Sequence, residues 1–170
     1  MEADILLAIH AHATPLRDRL FILSHQLGTF WWLATLVLTM ALWHVRRGRS
    51  HDGQVWVMTG ISTVVIENVL KLAVARLRPE LWPRLVPTAT FSFPSGHALA
   101  SATLYPLLAW DLTRTRPPAV RMAAMLAAVG LSLFTGFGRL YLGVHWPTDV
   151  AAGWALGALQ AWLAIRQVRC

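Results

Sequence analysis

Acidic residues are scarce in this chain: eight Asp and Glu occur among 170 residues, and charged residues of both signs make up only 14%. A soluble domain carries about 25% charged residues. The shortage therefore argues against a water-soluble globule, and a hydrophobic share of 56% points to a membrane protein. Lysine is nearly absent: Lys71 is the only one, and the other 14 basic side chains are arginines. Cysteine occurs once, as Cys170, which excludes an intramolecular disulfide and leaves the redox compartment unread. A basic leader is missing too. Glu2 and Asp4 stand where a signal peptide would be positive, so none is expected. Metal-ligand spacing is also lacking. His10, His12 and His25 have no carboxylate or cysteine to complete a set, and they read as interfacial polar residues.

Tryptophan is abundant, with nine copies, and indoles collect at the membrane–water interface. The net charge is +7. A basic chain can bind nucleic acid, but these arginines lie in short clusters between apolar segments rather than along one helix face. No nucleic-acid partner is expected. The length suits a single domain, 1–170. Residues 1–26 mix Ile5, Leu6, Leu16 and Leu20 with His10, Arg17 and Asp18, which predicts an amphipathic interfacial helix broken near Pro15. Five apolar spans follow at about 27–44, 55–74, 95–112, 119–137 and 148–165. Each approaches the ~20 residues that cross a bilayer, the first and third being short. The expected fold is all-α: an integral membrane bundle of about five transmembrane helices plus the interfacial segment. Pro106 predicts a kink in the third span. Gly153 and Gly157 in the fifth form a GxxxG spacing, read as close packing inside one monomer rather than a dimer motif. The oligomeric state stays open.

Five spans put the two ends of the chain on opposite sides. The loops after the first and third spans share a side with the C-terminus. They hold Arg46, Arg47, Arg49, Arg114, Arg116, Arg121, Arg166 and Arg169. Positive residues stay inside, so that side is expected to be cytoplasmic and the membrane a bacterial inner one. Three polar clusters then meet on the outer face.

The first cluster ends the second span. Lys71 and Arg78 are seven residues apart, two helical turns, and so point the same way. Arg76 points elsewhere and is left out. Snorkelling to the interface is the plain alternative, and Glu67 is placed for an i,i+4 pair with Lys71. The second cluster, Pro94-Ser95-Gly96-His97, opens the third span. Free N–H groups at a helix start bind anions, Ser95 adds a hydroxyl, Gly96 permits close approach, and His97 can hold a proton near neutrality. An N-cap serine beside an incidental histidine is the plain alternative. The third cluster is Arg139 with His145 and Asp149. Pro147 suits the first position of a helix, and Asp149 in its first turn is favoured by the dipole. Four residues separate His145 from Asp149, close enough for a hydrogen bond that leaves the other ring nitrogen free to attack. A helix cap next to a stray histidine is the plain alternative here.

Together these residues suit a tetrahedral, multiply charged anion. Cations and backbone amides stabilise its oxygens, one histidine attacks, and the other protonates the leaving oxygen. No carboxylate cluster is present for two-metal chemistry, so neither a metal nor another cofactor is expected. Lys71-x6-Arg78-Pro79, Pro94-Ser95-Gly96-His97 and Arg139-x5-His145-x3-Asp149 resemble the three-part signature of the type 2 phosphatidic acid phosphatase superfamily. The resemblance implies that His145 is a nucleophile forming a phosphohistidine, Asp149 its orienter and His97 the general acid. It implies that Lys71, Arg78, Ser95, Gly96 and Arg139 hold the phosphate, and that the substrate is a membrane lipid phosphate. One position departs: Gly138 stands where the family usually has serine. Small size and an outward site look like undecaprenyl-diphosphate phosphatases of the bacitracin-resistance type. Phosphatidylglycerophosphate and phosphatidic acid phosphatases are similar. Vanadate-dependent haloperoxidases share the anion site but are soluble. A non-enzymatic lipid or ion carrier would explain the spans, though not the two histidines.

Overall fold

The structure, a computed structural model, describes residues 1–88 and 90–168. All regular structure among them is helical, in seven helices: α1 (Glu2–His10), α2 (Pro15–Leu27), α3 (Phe30–Arg46), α4 (Ser50–Val74), α5 (Gly96–Thr113), α6 (Pro118–Tyr141) and α7 (Pro147–Gln167). Arg169 and Cys170, used above in the charge and cysteine readings, lie outside the described residues.

The helix starts follow from local chemistry. Thr14 caps α2 by accepting the Arg17 N–H at 3.3 Å, with Pro15 at the first position. Ser95 caps α5 through the Ala98 N–H at 3.5 Å. Pro147 opens α7, and the Asp149 carboxylate accepts the Trp146 N–H at 2.8 Å. The N-terminal segment is two helices rather than one broken helix, and α2 leads into α3 at a 42° bend around Gly28 and Thr29. Helix α5 runs unbroken through Pro106.

By length and composition, α4 and α6 can each cross a membrane, and the bent α2–α3 pair makes a third candidate span. The five expected spans correspond to α3–α7, but fewer pass on apolarity alone. The physical reason is clearest in α5. It lies at the centre of the bundle and packs mainly on α7 and α6. Ser101, Thr103 and Asp111 are buried there against protein, so the helix need not be apolar all round.

Trp56, Leu104 and Leu107 form the middle of the core. Gly153 and Gly157 let α7 approach the backbone of α5; a Cβ on Gly153 would lie 2.7 Å from the Ser95 carbonyl oxygen. The GxxxG spacing thus serves packing within the chain, as read from the sequence. At the other end of α5, a buried polar knot ties three helices together. Asp111 accepts from Trp56 at 2.8 Å and lies 2.5 Å from His44, while Arg114 donates to Asp52 at 3.0 Å. The knot leaves the opposite end, where the polar loop 75–95 returns to the bundle, for the three clusters.

Candidate active site

The three clusters meet at the start of α5. Ser95 joins two of them directly, its N–H donating to the Asp149 carbonyl at 3.0 Å. Lys71 is 6% exposed and donates to Thr90 Oγ1 and the Phe91 carbonyl, both at 3.0 Å. Its ammonium also stands 3.4 Å from Glu67, the i,i+4 pair anticipated above. Glu67 packs over Gly96, where any side chain would collide with its carboxylate. Arg78 reaches the same place, with Nε donating to the Thr90 carbonyl at 2.7 Å and a second nitrogen to the Phe91 carbonyl at 3.2 Å.

Lys71 and Arg78 do not share a helical face, which corrects the sequence argument. Helix α4 stops at Val74, and Ala75 takes a left-handed conformation with φ 46°. Arg78 lies in the following loop. The two cations converge because that loop folds back, with the Ser92 N–H donating to the Arg76 carbonyl at 2.8 Å. The same fact corrects Arg76. Set aside for pointing away, it donates to Asp149 Oδ1 at 2.7 Å and to Thr148 Oγ1 at 2.6 Å.

His145 is 2% exposed, in the turn between α6 and α7. An Arg78 guanidinium nitrogen lies 3.1 Å from its Nε2. A guanidinium only donates, so Nε2 accepts and carries no proton. The proton of the neutral ring is then on Nδ1, which faces Asp149 Oδ2 at 3.6 Å. That distance is beyond a hydrogen bond, so the predicted bond is an electrostatic contact. Asp149 is fully buried, and the same Oδ2 accepts from Ser92 Oγ and the Trp146 N–H. Burial, reinforced by Arg78 and Arg139, holds the His145 pKa down to about 3 against the opposing pull of Asp149. Burial also lowers the Arg78 pKa, helped by Arg84.

Arg139 is 2% exposed and donates to His25 Nδ1 at 2.8 Å. His97 Nε2 lies 2.8 Å from that same nitrogen, and the two imidazoles stack at 4.8 Å between centroids. Since Arg139 can only donate, His25 Nδ1 accepts, and the proton between the histidines belongs to His97 Nε2. His25 is therefore a site residue and not the interfacial polar residue read from the sequence. Nothing local distinguishes it, because its position depends on α2 packing against α6. At Gly138 the Ser24 hydroxyl of α2 fills the space a side chain would take. Glycine there admits α2 and with it His25.

Two cavities adjoin the cluster. An apolar groove of about 630 Å³ runs between α3 and α4, walled by Leu33, Val37, Ile61 and Val64, with His97 and Glu67 at its mouth. A second cleft of about 660 Å³ is lined by Lys71, Arg76, Arg78 and Arg84 among others. Among the described residues no three His, Cys, Asp or Glu side chains gather as a metal-ligand set. The cluster brings together a bare ring nitrogen on His145, an N–H on His97 and the cations Lys71, Arg78 and Arg139.

The family model described as the PAP2 superfamily matches residues 53–169. Phosphatidylglycerophosphatase B of Bacillus subtilis (strain 168) is 33% identical over 137 residues, covering 79% of this chain and 66% of that protein. An undecaprenyl-diphosphatase of Sulfolobus acidocaldarius is 36% identical over 115 residues, covering 65% of this chain and 52% of that protein. The chain thus spans two thirds or less of the length of these curated relatives. A crystal structure of a transmembrane PAP2-type phosphatidylglycerolphosphate phosphatase from Bacillus subtilis superposes with a TM-score of 0.89 at 29% identity, covering 96% of this chain and 82% of that one.

Proposed function

The chain belongs to the PAP2 superfamily, and from that premise we propose that it is a membrane lipid phosphatase working through a phosphohistidine. The observation that carries this reading is the bare Nε2 of His145, held buried at Arg78 and opposite the His97–His25 pair. In the first step Nε2 attacks the terminal phosphorus, the bond from that phosphorus to the leaving oxygen of the lipid phosphate or lipid alcohol breaks, and His97, entering the step as the imidazolium, gives a proton to that oxygen and becomes neutral. Lys71, Arg78 and Arg139, with Ser95 and the N–H groups at the start of α5, stabilise the equatorial oxygens. In the second step water attacks the phosphohistidine and His97 takes a proton from it. The nitrogen–phosphorus bond breaks, its electrons return to Nε2, and phosphate leaves. Asp149 steadies the imidazolium that bears the phosphoryl group.

The apolar groove supports a lipid leaving group. It opens at His97, the residue that protonates the departing oxygen, so tail and oxygen lie on the same side of the phosphorus. One groove suits one prenyl chain, and undecaprenyl diphosphate, cleaved to undecaprenyl phosphate, is the substrate we favour. Phosphatidylglycerophosphate is the second reading, favoured by the B. subtilis relative; phosphatidic acid belongs with it. The arginine bias of alternate loops supports an outward-facing site in the inner membrane with a cytoplasmic C-terminus. Phosphate release by the detergent-purified protein over a panel of lipid mono- and diphosphates tests the whole. Release from undecaprenyl diphosphate well above the others is expected. Release from none of them would leave a carrier as the better reading.

A further inference from the structure

Helix α1 precedes every motif, yet it ends on the catalytic cluster. The Glu2 carboxylate accepts from the Thr148 N–H at 3.0 Å and the Thr148 hydroxyl at 2.8 Å, capping the first turn of α7. Its other oxygen meets Arg76 at 2.5 Å. Arg76 is 29% exposed and spans two carboxylates: one nitrogen holds Glu2, the other holds Asp149 Oδ1 at 2.7 Å. Asp149 in turn faces His145 Nδ1. Four ionisable groups thus stand in a row with alternating roles, Glu2, Arg76, Asp149 and His145. The helix is fastened a second time at its far end, where His10 stacks on Trp82 at 4.0 Å. Trp82 lies over Gly143 in the turn that carries His145, where a Cβ would approach it at 2.6 Å.

We infer that Glu2 is a positioning residue for His145, acting through Arg76 and Asp149, so that α1 is part of the catalytic apparatus. The physical reason lies in how Asp149 is held. Ser92 and the Trp146 N–H both engage Oδ2, the oxygen that faces His145. Arg76 engages Oδ1 and fixes rotation of the carboxylate about its own bond. A partly exposed arginine has rotamer entropy to lose, and Glu2 holds the second guanidinium nitrogen while Asp149 and Thr148 hold the first. With Glu2 neutralised, Arg76 swings more freely, the carboxylate rotates, and its charge no longer faces Nδ1. The phosphate contacts of Lys71, Arg78 and Arg139 are untouched.

The inference rests on the proposed phosphatase reading for its kinetic arm, and a spectroscopic arm stands apart from it. Glu2→Gln keeps acceptor oxygen for the Thr148 cap but removes the charge from Arg76. It is expected to lower kcat about tenfold, the lower range for groups that orient a reacting histidine through another residue, with KM within about twofold. Glu2→Asp should recover part of the loss. Arg76→Gln should cost at least as much, and Glu2→Gln should add nothing in that background, because the path runs through Arg76. A purely structural cap on α7 would instead give independent, additive losses. In the second arm, nitrogen-15 spectra of histidine-labelled protein in lipid read the His145 tautomer. Nδ1–H is expected in both proteins, because Arg78 still donates to Nε2, and the Nδ1 resonance is expected to shift in Glu2→Gln as the carboxylate beside it turns. An unchanged His145 signal in Glu2→Gln, or additive kinetic losses, overturns the inference. A changed signal in a protein that hydrolyses no lipid phosphate would uphold the positioning role and refute the function.

Discussion

Arg78 and His145 are joined nitrogen to nitrogen at 3.1 Å, and the direction of that contact decides which ring atom is free of a proton for the proposed attack. Only the guanidinium can donate, so Nε2 is the bare nitrogen and points at the cation that would grip the phosphate. Arg78→Lys keeps the charge and loses the fork. Loss of one oriented donor to a developing oxyanion costs about 10²–10³-fold in kcat, and a loss in that range is expected from phosphate-release kinetics. Activity within a few-fold of the unaltered enzyme would mean that charge alone suffices there.

Burial sets the pH behaviour of His145. Its folded-state pKa of about 3 lies below the 6.5 of a free imidazole. Below 6.5 the unfolded chain takes up a proton that the folded protein refuses, so stability falls as the pH falls from 6.5 towards 3. His145→Gln removes that linkage. Melting temperatures in detergent at pH 7 and pH 4.5 should drop further for the unaltered protein than for His145→Gln. Parallel drops would contradict the assignment. The same depressed pKa leaves the proposed nucleophile unprotonated between pH 7 and pH 4.5, so an acid limb in the rate there belongs to another group.

His25 accepts from both His97 and Arg139, and its loss leaves two buried donors without that acceptor. His25→Ala is expected to lower turnover of a lipid substrate by at least tenfold, a part of the roughly 10²–10⁴-fold that a well-placed general acid contributes. His25→Gln, whose carbonyl oxygen can accept from both, should recover much of it. With p-nitrophenyl phosphate, whose leaving group needs little protonation, the His25→Ala loss should shrink. An equal loss with both substrates would separate His25 from the acid step.

The sequence was legible wherever chemistry is local. The starts of α5 and α7 follow from Ser95 and Pro147, and the expected spans lie within a few residues of α3–α7. The eight proposed site residues meet at one end of the bundle. What misled was a helical wheel carried past the end of the helix. It paired Lys71 with Arg78 for the wrong reason and discarded Arg76. His25 and Glu2 were illegible because their partners lie 72 and 146 residues away. Only the packing of α1 and α2 over the catalytic turn gives them a role, and no spacing rule reaches that far.

Trapping the covalent intermediate tests the central claim most directly. Rapid-quench labelling with a substrate radiolabelled at the transferred phosphate should yield an acid-labile phosphoenzyme on His145 in the unaltered protein. His145→Ala should yield none and should not turn over. His97→Ala should still form the intermediate with a p-nitrophenolate leaving group. Phosphate recovered on His97, or an intermediate that persists in His145→Ala, would contradict the assignment of the two histidines.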